Sequence, residues 1–168
     1  MRSYNGFDPA IRNKANRWLN GEYASGRVQR PTKCDNCGQD KGVIDHHAED
    51  YSEPFGPHIY EFGLCVRCHF WLHCRFSNRE GYERYKAALR KGYTFDPVPG
   101  RNFEVFKVHL QQGNSAVKYT FTGKRPELLF DAIEKRKHPE PRKPVPPAPT
   151  LKQASMFDDV KPRIRFPD

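Results

Sequence analysis

Two Cys-x-x-Cys pairs constrain this chain more than any other feature of its sequence. The first pair is Cys34 with Cys37, and the second is Cys65 with Cys68. Each pair can present two thiolates to one ion, so two pairs separated by a loop are the usual pattern of a tetrahedral structural zinc site. With a hydrophobic fraction of 36% and 15 prolines, the chain has little material for a large core. The spacing therefore predicts a small domain in which Zn²⁺ replaces part of the missing burial.

Four histidines stand close to these cysteines in the sequence and are not needed for the zinc. His46 and His47 are adjacent, whereas His69 and His73 have the i, i+4 spacing that places two side chains on one face of a helix. Such a set of imidazoles can hold a second metal ion and leave one coordination position open, as catalytic sites do. Because His69 directly follows Cys68, it could instead supply a ligand to the zinc itself.

This order of cysteines and histidines resembles the HNH, or ββα-metal, endonucleases in the branch with a four-cysteine zinc. It is similar to small phage-encoded HNH-like proteins with His-His, Asp-Tyr and Leu-Cys-x-x-Cys-His elements, found here within residues 46–54 and 64–69. The resemblance implies an α+β fold in which a strand over residues 43–47 carries the histidine pair. A second strand is expected over residues 59–64, followed by a short helix over residues 69–76.

The resemblance also implies a role for each histidine. His46, His69 and His73 are expected to bind the catalytic divalent ion, which is Mg²⁺, Mn²⁺, Ni²⁺ or Zn²⁺. His47 is expected to be the general base, because an imidazole can take a proton from water near neutral pH. The ion would act as a Lewis acid on the scissile phosphate. The expected function is therefore that of a metal-dependent DNA endonuclease, of the kind that phages encode.

Two other registers of the family pattern remain open. In one, Asp45 is the metal ligand and His46 is the base. In the other, an ungapped match to the phage-protein pattern places His47 at the first histidine and Ala48 at the second. Tyr60 also occupies the position of the family's asparagine, which braces the loop and orients the base. An alternative function is therefore that of a catalytically inactive HNH-like protein that binds nucleic acid or the sliding clamp as an adaptor.

The charge of the chain favours a polyanionic partner. The sequence has 29 Lys and Arg against 20 Asp and Glu, a formal net charge of +9. Such a chain is attracted to DNA through the release of counterions. The sequence has no N-terminal apolar segment of the signal type and no apolar run long enough for a membrane span. We therefore expect a protein of the bacterial host cytosol, where thiols stay reduced and bind metal, and no membrane partner.

The chain is expected to divide into an N-terminal helix with a basic loop (residues 1–33), a zinc-stapled HNH-like core (34–92), a hairpin-helix subdomain (93–137) and a disordered Pro-rich tail (138–168). The first helix should start with Asp8 as N-cap and Pro9 at its first position. The basic face predicted for this helix and loop comprises Arg12, Lys14, Arg17, Arg27 and Arg30. The core should end in a helix closed by Gly92, and the last helix should begin at Pro126.

The tail contains one candidate partner motif. Gln153, Met156 and Phe157 have the spacing of the bacterial sliding-clamp motif, in which an aliphatic and an aromatic side chain enter a pocket of the clamp. A linear motif on a flexible Pro-rich tether can search for its partner while the folded domain works nearby. The tail therefore predicts an interaction with the sliding clamp of the host.

Overall fold

The computed structural model describes residues 3–100, 104 and 127–136, and in this part of the chain the fold is α+β. Its elements are, in chain order, helix α1 (Pro9–Ala24), strand β1 (Ile44–His47), a 3₁₀ helix (Pro57–Tyr60), strand β2 (Phe62–Cys65), helix α2 (Val66–Cys74), helix α3 (Arg79–Arg90) and helix α4 (Leu129–Lys135). Of the hairpin expected over residues 103–121, the structure describes only Glu104, which is helical, so the hairpin stays a prediction. The motif at Gln153, Met156 and Phe157 lies outside the described residues.

The two strands form an antiparallel pair in which His46 faces Gly63 and His47 faces Phe62. The strand expected to carry the histidine pair is confirmed at β1. The second strand begins later than expected, because Pro57–Tyr60 forms the 3₁₀ helix instead. A Cβ at Gly63 would lie 2.8 Å from Cβ of Pro31, so only glycine allows this loop to approach β2 so closely. The first cysteine pair is thereby held beside the strand.

Helix α1 starts as expected, with the Asp8 carboxylate accepting a hydrogen bond from the Ile11 amide at 2.9 Å. Ala15 and Leu19 bury its inner face against the loop that follows β1. Arg12 was expected on the basic outer face, but it is buried instead. Since it shares the i, i+3, i+7 stripe of Ala15 and Leu19, it faces inward, where its guanidinium lies 5.2 Å from the ring centre of Tyr51.

Helix α4 packs on α3 through an apolar and a charged contact. Phe130 and Ile133 enter the same core cluster as Tyr82 of α3. Lys86 of α3 is buried, and its ammonium lies 2.6 Å from a Glu134 carboxylate oxygen and 3.0 Å from one of Asp131. One buried ammonium group of α3 therefore joins the two helices by contacting two carboxylates of α4.

Replacing Lys86 with methionine should lower the free energy of unfolding by about 2 kcal/mol, because two partly buried carboxylates lose a charged hydrogen-bond donor. Arg84→Met is a matched control, since Arg84 pairs with Glu80 on the same helix while both side chains are mostly exposed. We expect that control to change stability by less than about 0.5 kcal/mol. Urea unfolding of the three proteins measures the difference, and equal midpoints for Lys86→Met and wild type would contradict this account of the contact.

Within the described residues, no helix combines the length and the apolar character needed to cross a membrane.

Candidate metal centres

The four predicted cysteines meet in one buried group. Their sulfur atoms all lie within 4.8 Å of one another. Sγ of Cys37 lies 3.7 Å from Sγ of Cys65, close to the edge of about 3.8 Å that a tetrahedron with zinc–sulfur bonds of about 2.3 Å requires. Burial raises the pKa of Cys68, so a cation is what would stabilise four thiolates at this depth. The donor set therefore fits a structural metal.

Local structure explains why the cysteines converge. Cys65 ends β2 and is also the N-cap of α2, so Cys68 lies in the first turn of that helix. The first pair lies in a tight turn, where the Gly38 amide donates to the Cys34 carbonyl at 2.8 Å. Two hydrogen bonds with Gly63 then fix this turn against β2: the Asp35 amide donates to the Gly63 carbonyl at 2.8 Å, and the Gly63 amide donates to the Asp35 carboxylate at 2.6 Å.

Two polar side chains support the four-cysteine group from outside. The Asn36 amide donates to Sγ of Cys68 at 3.4 Å, and the Tyr85 hydroxyl lies 3.2 Å from the same sulfur. The Asn36 side-chain oxygen also accepts a hydrogen bond from the Phe130 amide at 3.1 Å. One asparagine therefore connects the cysteine group with the first turn of α4.

A second group is formed by His47, His69 and His73, whose ligand nitrogens also lie within 4.8 Å of one another. Nδ1 of His47 is 3.1 Å from Nε2 of His69. His47 is 1% exposed, whereas the two helix histidines are only partly buried. His69 and His73 thus lie on the face of α2 that contacts His47 of β1. The group is accessible from the surface through these two partly exposed histidines.

The group contains His47 where the predicted set contained His46. Neighbouring side chains of a strand point to opposite faces, so the two histidines of β1 cannot both face α2. Nδ1 of His46 lies 2.7 Å from the Tyr23 hydroxyl of α1, and its ring is stacked on the Tyr23 ring. Tyr60 packs on this same side, 5.8 Å from His46 between ring centres. In the structure, His47 and not His46 therefore lies beside His69 and His73.

His47 has both ring nitrogens engaged. While Nδ1 faces His69, Nε2 lies 2.8 Å from Oε1 of Glu49. Glu49 in turn accepts hydrogen bonds from the Arg75 guanidinium, at 2.7 Å to Oε2, and from the Tyr4 hydroxyl, at 2.6 Å to Oε1. The carboxylate thus holds Nε2, and Nδ1 is the ring nitrogen directed at the two helix histidines.

The surroundings keep the three histidines neutral. Burial, the neighbouring His47 and the charges of Arg12 and Arg75 together lower the pKa of His73 to about 3. Burial also lowers the pKa of His69 well below its usual value and lowers that of His47. Since only the neutral imidazole binds a metal, this group fits a divalent ion near neutral pH.

The remaining candidates that the structure describes do not belong to either group. His58 contacts the Ser52 carbonyl oxygen through Nε2 at 2.9 Å, which fixes the loop after β1. Cys74 lies near the end of α2, is partly exposed and does not belong to the four-cysteine group. The two cysteine pairs and the i, i+4 histidines are the sequence signals that predict the two groups.

The supporting residues Tyr4, Glu49 and Arg75 were not predicted. They lie far apart in the sequence, and no periodic pattern or motif connects them. The one available signal was Glu49, because an acidic residue two positions after a metal-binding histidine is near enough to contact its ring.

No family model matches the chain, and neither a curated protein nor a solved structure matches it. The geometry of the two groups is what supports a function.

Proposed function

We propose that this chain is a metal-dependent DNA endonuclease of the HNH, or ββα-metal, type, with a structural Zn²⁺ at the four cysteines. The observation that carries the proposal is the group of His47, His69 and His73. Three protein ligands leave a coordination position open for substrate, in contrast to the closed four-cysteine set. The order of strand, strand and helix around these histidines also agrees with the resemblance seen in the sequence.

A divalent ion at these histidines would supply Lewis-acid chemistry for phosphodiester hydrolysis. The chain itself supplies a fixed, neutral donor set and a positive surrounding. The guanidinium groups of Arg12 and Arg75 lie near enough to lower the pKa of His73. The net charge of +9 of the whole chain favours the approach of a phosphate backbone.

The family's general base is not carried over in this proposal. His47 belongs to the metal group, and His46 is engaged by Tyr23 on the other face of the strand. Ala48 occupies the place of the second histidine in the ungapped register. His47, His69 and His73 would hold the ion, and the ion would supply the activation of the attacking water.

A second candidate function is nucleic-acid binding or clamp-directed adaptor activity without cleavage. Ala48 and Tyr60 favour it, because both replace residues that the family uses to activate or orient the attacking water. The sliding-clamp motif at Gln153, Met156 and Phe157 suits either function, since it would recruit the chain to replicating DNA in a bacterial cytosol.

Plasmid cleavage by wild type and His73→Ala tests the proposal. Mg²⁺, Mn²⁺, Ni²⁺ or Zn²⁺ is added in turn after a mild chelator has removed loosely held metal. We expect metal-dependent nicking by wild type and a rate at least about 1,000-fold lower for His73→Ala, since several kcal/mol of transition-state stabilisation depend on the ion.

His58→Ala is the matched control, because it removes a histidine outside the group and should keep the wild-type rate. Absence of cleavage with every metal, from wild type that retains zinc and binds DNA, would contradict the nuclease and favour the binding function.

A further inference from the structure

We infer that Glu49 is the positioning residue of the histidine centre: it fixes the ring orientation and the tautomer in which His47 offers Nδ1 to a metal. This inference rests on the proposed metal centre and deepens it. No sequence pattern assigns a role to Glu49. Its part is to act through His47 and not on the substrate.

The polar contacts of the His47 ring determine the tautomer. The Tyr4 hydroxyl also lies 3.1 Å from Nε2, but it donates its proton to Glu49 and can only accept from the ring. A carboxylate can only accept, so the 2.8 Å contact between Oε1 of Glu49 and Nε2 requires a proton on Nε2. A neutral imidazole then has a lone pair on Nδ1, the nitrogen that lies 3.1 Å from His69. The carboxylate therefore directs the basic nitrogen of His47 towards the other two ligands, as carboxylates behind metal-binding histidines do.

Glu49 is itself held from several sides. It is 7% exposed, and Arg75 donates to both carboxylate oxygens, at 2.7 Å to Oε2 and 3.2 Å to Oε1. Tyr4 donates to Oε1 at 2.6 Å and receives a hydrogen bond from Arg75 at 2.8 Å. The guanidinium beside both oxygens favours the charged carboxylate, and the four hydrogen bonds hold it in one orientation.

The N-terminal segment belongs to this arrangement. The Tyr4 ring packs 4.4 Å from the His73 ring between centres, and Asn5 donates to the backbone carbonyl of Glu49 at 3.1 Å. The amides and carbonyls of Tyr4 and Phe7 hydrogen-bond to each other and fix the turn between them. Residues 4–7 therefore pack beside the buried carboxylate.

The test is the affinity of the histidine centre for Co²⁺ in the full chain with its cysteine group filled by zinc. Glu49→Gln keeps the shape but loses the charge, and its amide can donate to Nε2 and so favour the wrong tautomer. We expect Co²⁺ affinity, measured by competition with a chelator, to fall about 10–100-fold and the visible Co²⁺ spectrum to change. Glu53→Gln, a substitution at an exposed carboxylate that pairs with Lys14, should change neither.

A second measurement needs no substitution. Nitrogen chemical shifts of His47 in the wild-type chain should show the proton on Nε2. A proton on Nδ1 would overturn the inference, as would a Glu49→Gln protein with wild-type Co²⁺ affinity and spectrum. If wild type binds no Co²⁺ at the histidines, the metal centre itself fails, while the tautomer still reports on Glu49 independently.

Discussion

Replacing Cys68 with serine should leave the chain largely unfolded at room temperature. Cys68 is completely buried, and its sulfur contacts Asn36 and Tyr85 as well as the other thiols. Structural zinc contributes about 10–16 kcal/mol in small zinc domains, as much as the whole stability of about 5–15 kcal/mol that a typical domain has. Serine is a poor zinc ligand, so most of this free energy should be lost. Far-UV circular dichroism with and without added zinc measures the effect.

Cys74→Ser is the matched control for that experiment. Cys74 is the remaining cysteine, lies near the end of α2 and is outside the four-cysteine group. We expect it to keep the zinc content and the thermal unfolding midpoint close to those of wild type. A Cys68→Ser protein that folds with the wild-type midpoint would show that the cysteine group does not hold a structural metal.

Exchanging His47 and His46 for alanine in turn should give opposite results. His47→Ala should reduce the cleavage rate at least about 1,000-fold, because it removes one of three metal ligands. His46→Ala should leave the rate within a few fold and lower the free energy of unfolding by about 1 kcal/mol, since it loses the hydrogen bond with Tyr23. Initial rates of plasmid nicking and urea unfolding of both variants separate the two effects.

The roles that the family resemblance implies for His46 and His47 predict a different outcome. With His46 as ligand and His47 as base, His46→Ala would lose the metal, whereas His47→Ala would keep it and lose only cleavage. That result would mean that the ungapped register, and with it the position of Ala48 in the pattern, is wrong.

Local patterns were enough to predict the frame of the fold. The cysteine spacing predicts the buried group of four, because each pair lies on a tight turn or in the first turn of a helix. The N-cap at Asp8, the strand at His47 and the helix pair of His69 and His73 are likewise local features, and the structure confirms their placement.

The choice between His46 and His47 is not a local property. Adjacent strand residues alternate between faces, so the ligand depends on which face α2 covers, and that is decided by tertiary packing. The shell of Tyr4 and Arg75 around Glu49 joins residues separated by up to 71 positions, for which single-sequence periodicity has no signal. Arg12 was misplaced because a basic residue was assumed to face solvent, although its position follows the buried stripe.

The most direct test of the central claim is the number of metal ions bound per folded chain, measured by native mass spectrometry for wild type, His46→Ala and His47→Ala. Two separate centres, with His47 in the second, predict two ions for wild type, two for His46→Ala and one for His47→Ala. One ion in all three proteins, or loss of the second ion from His46→Ala with its retention in His47→Ala, would contradict the account.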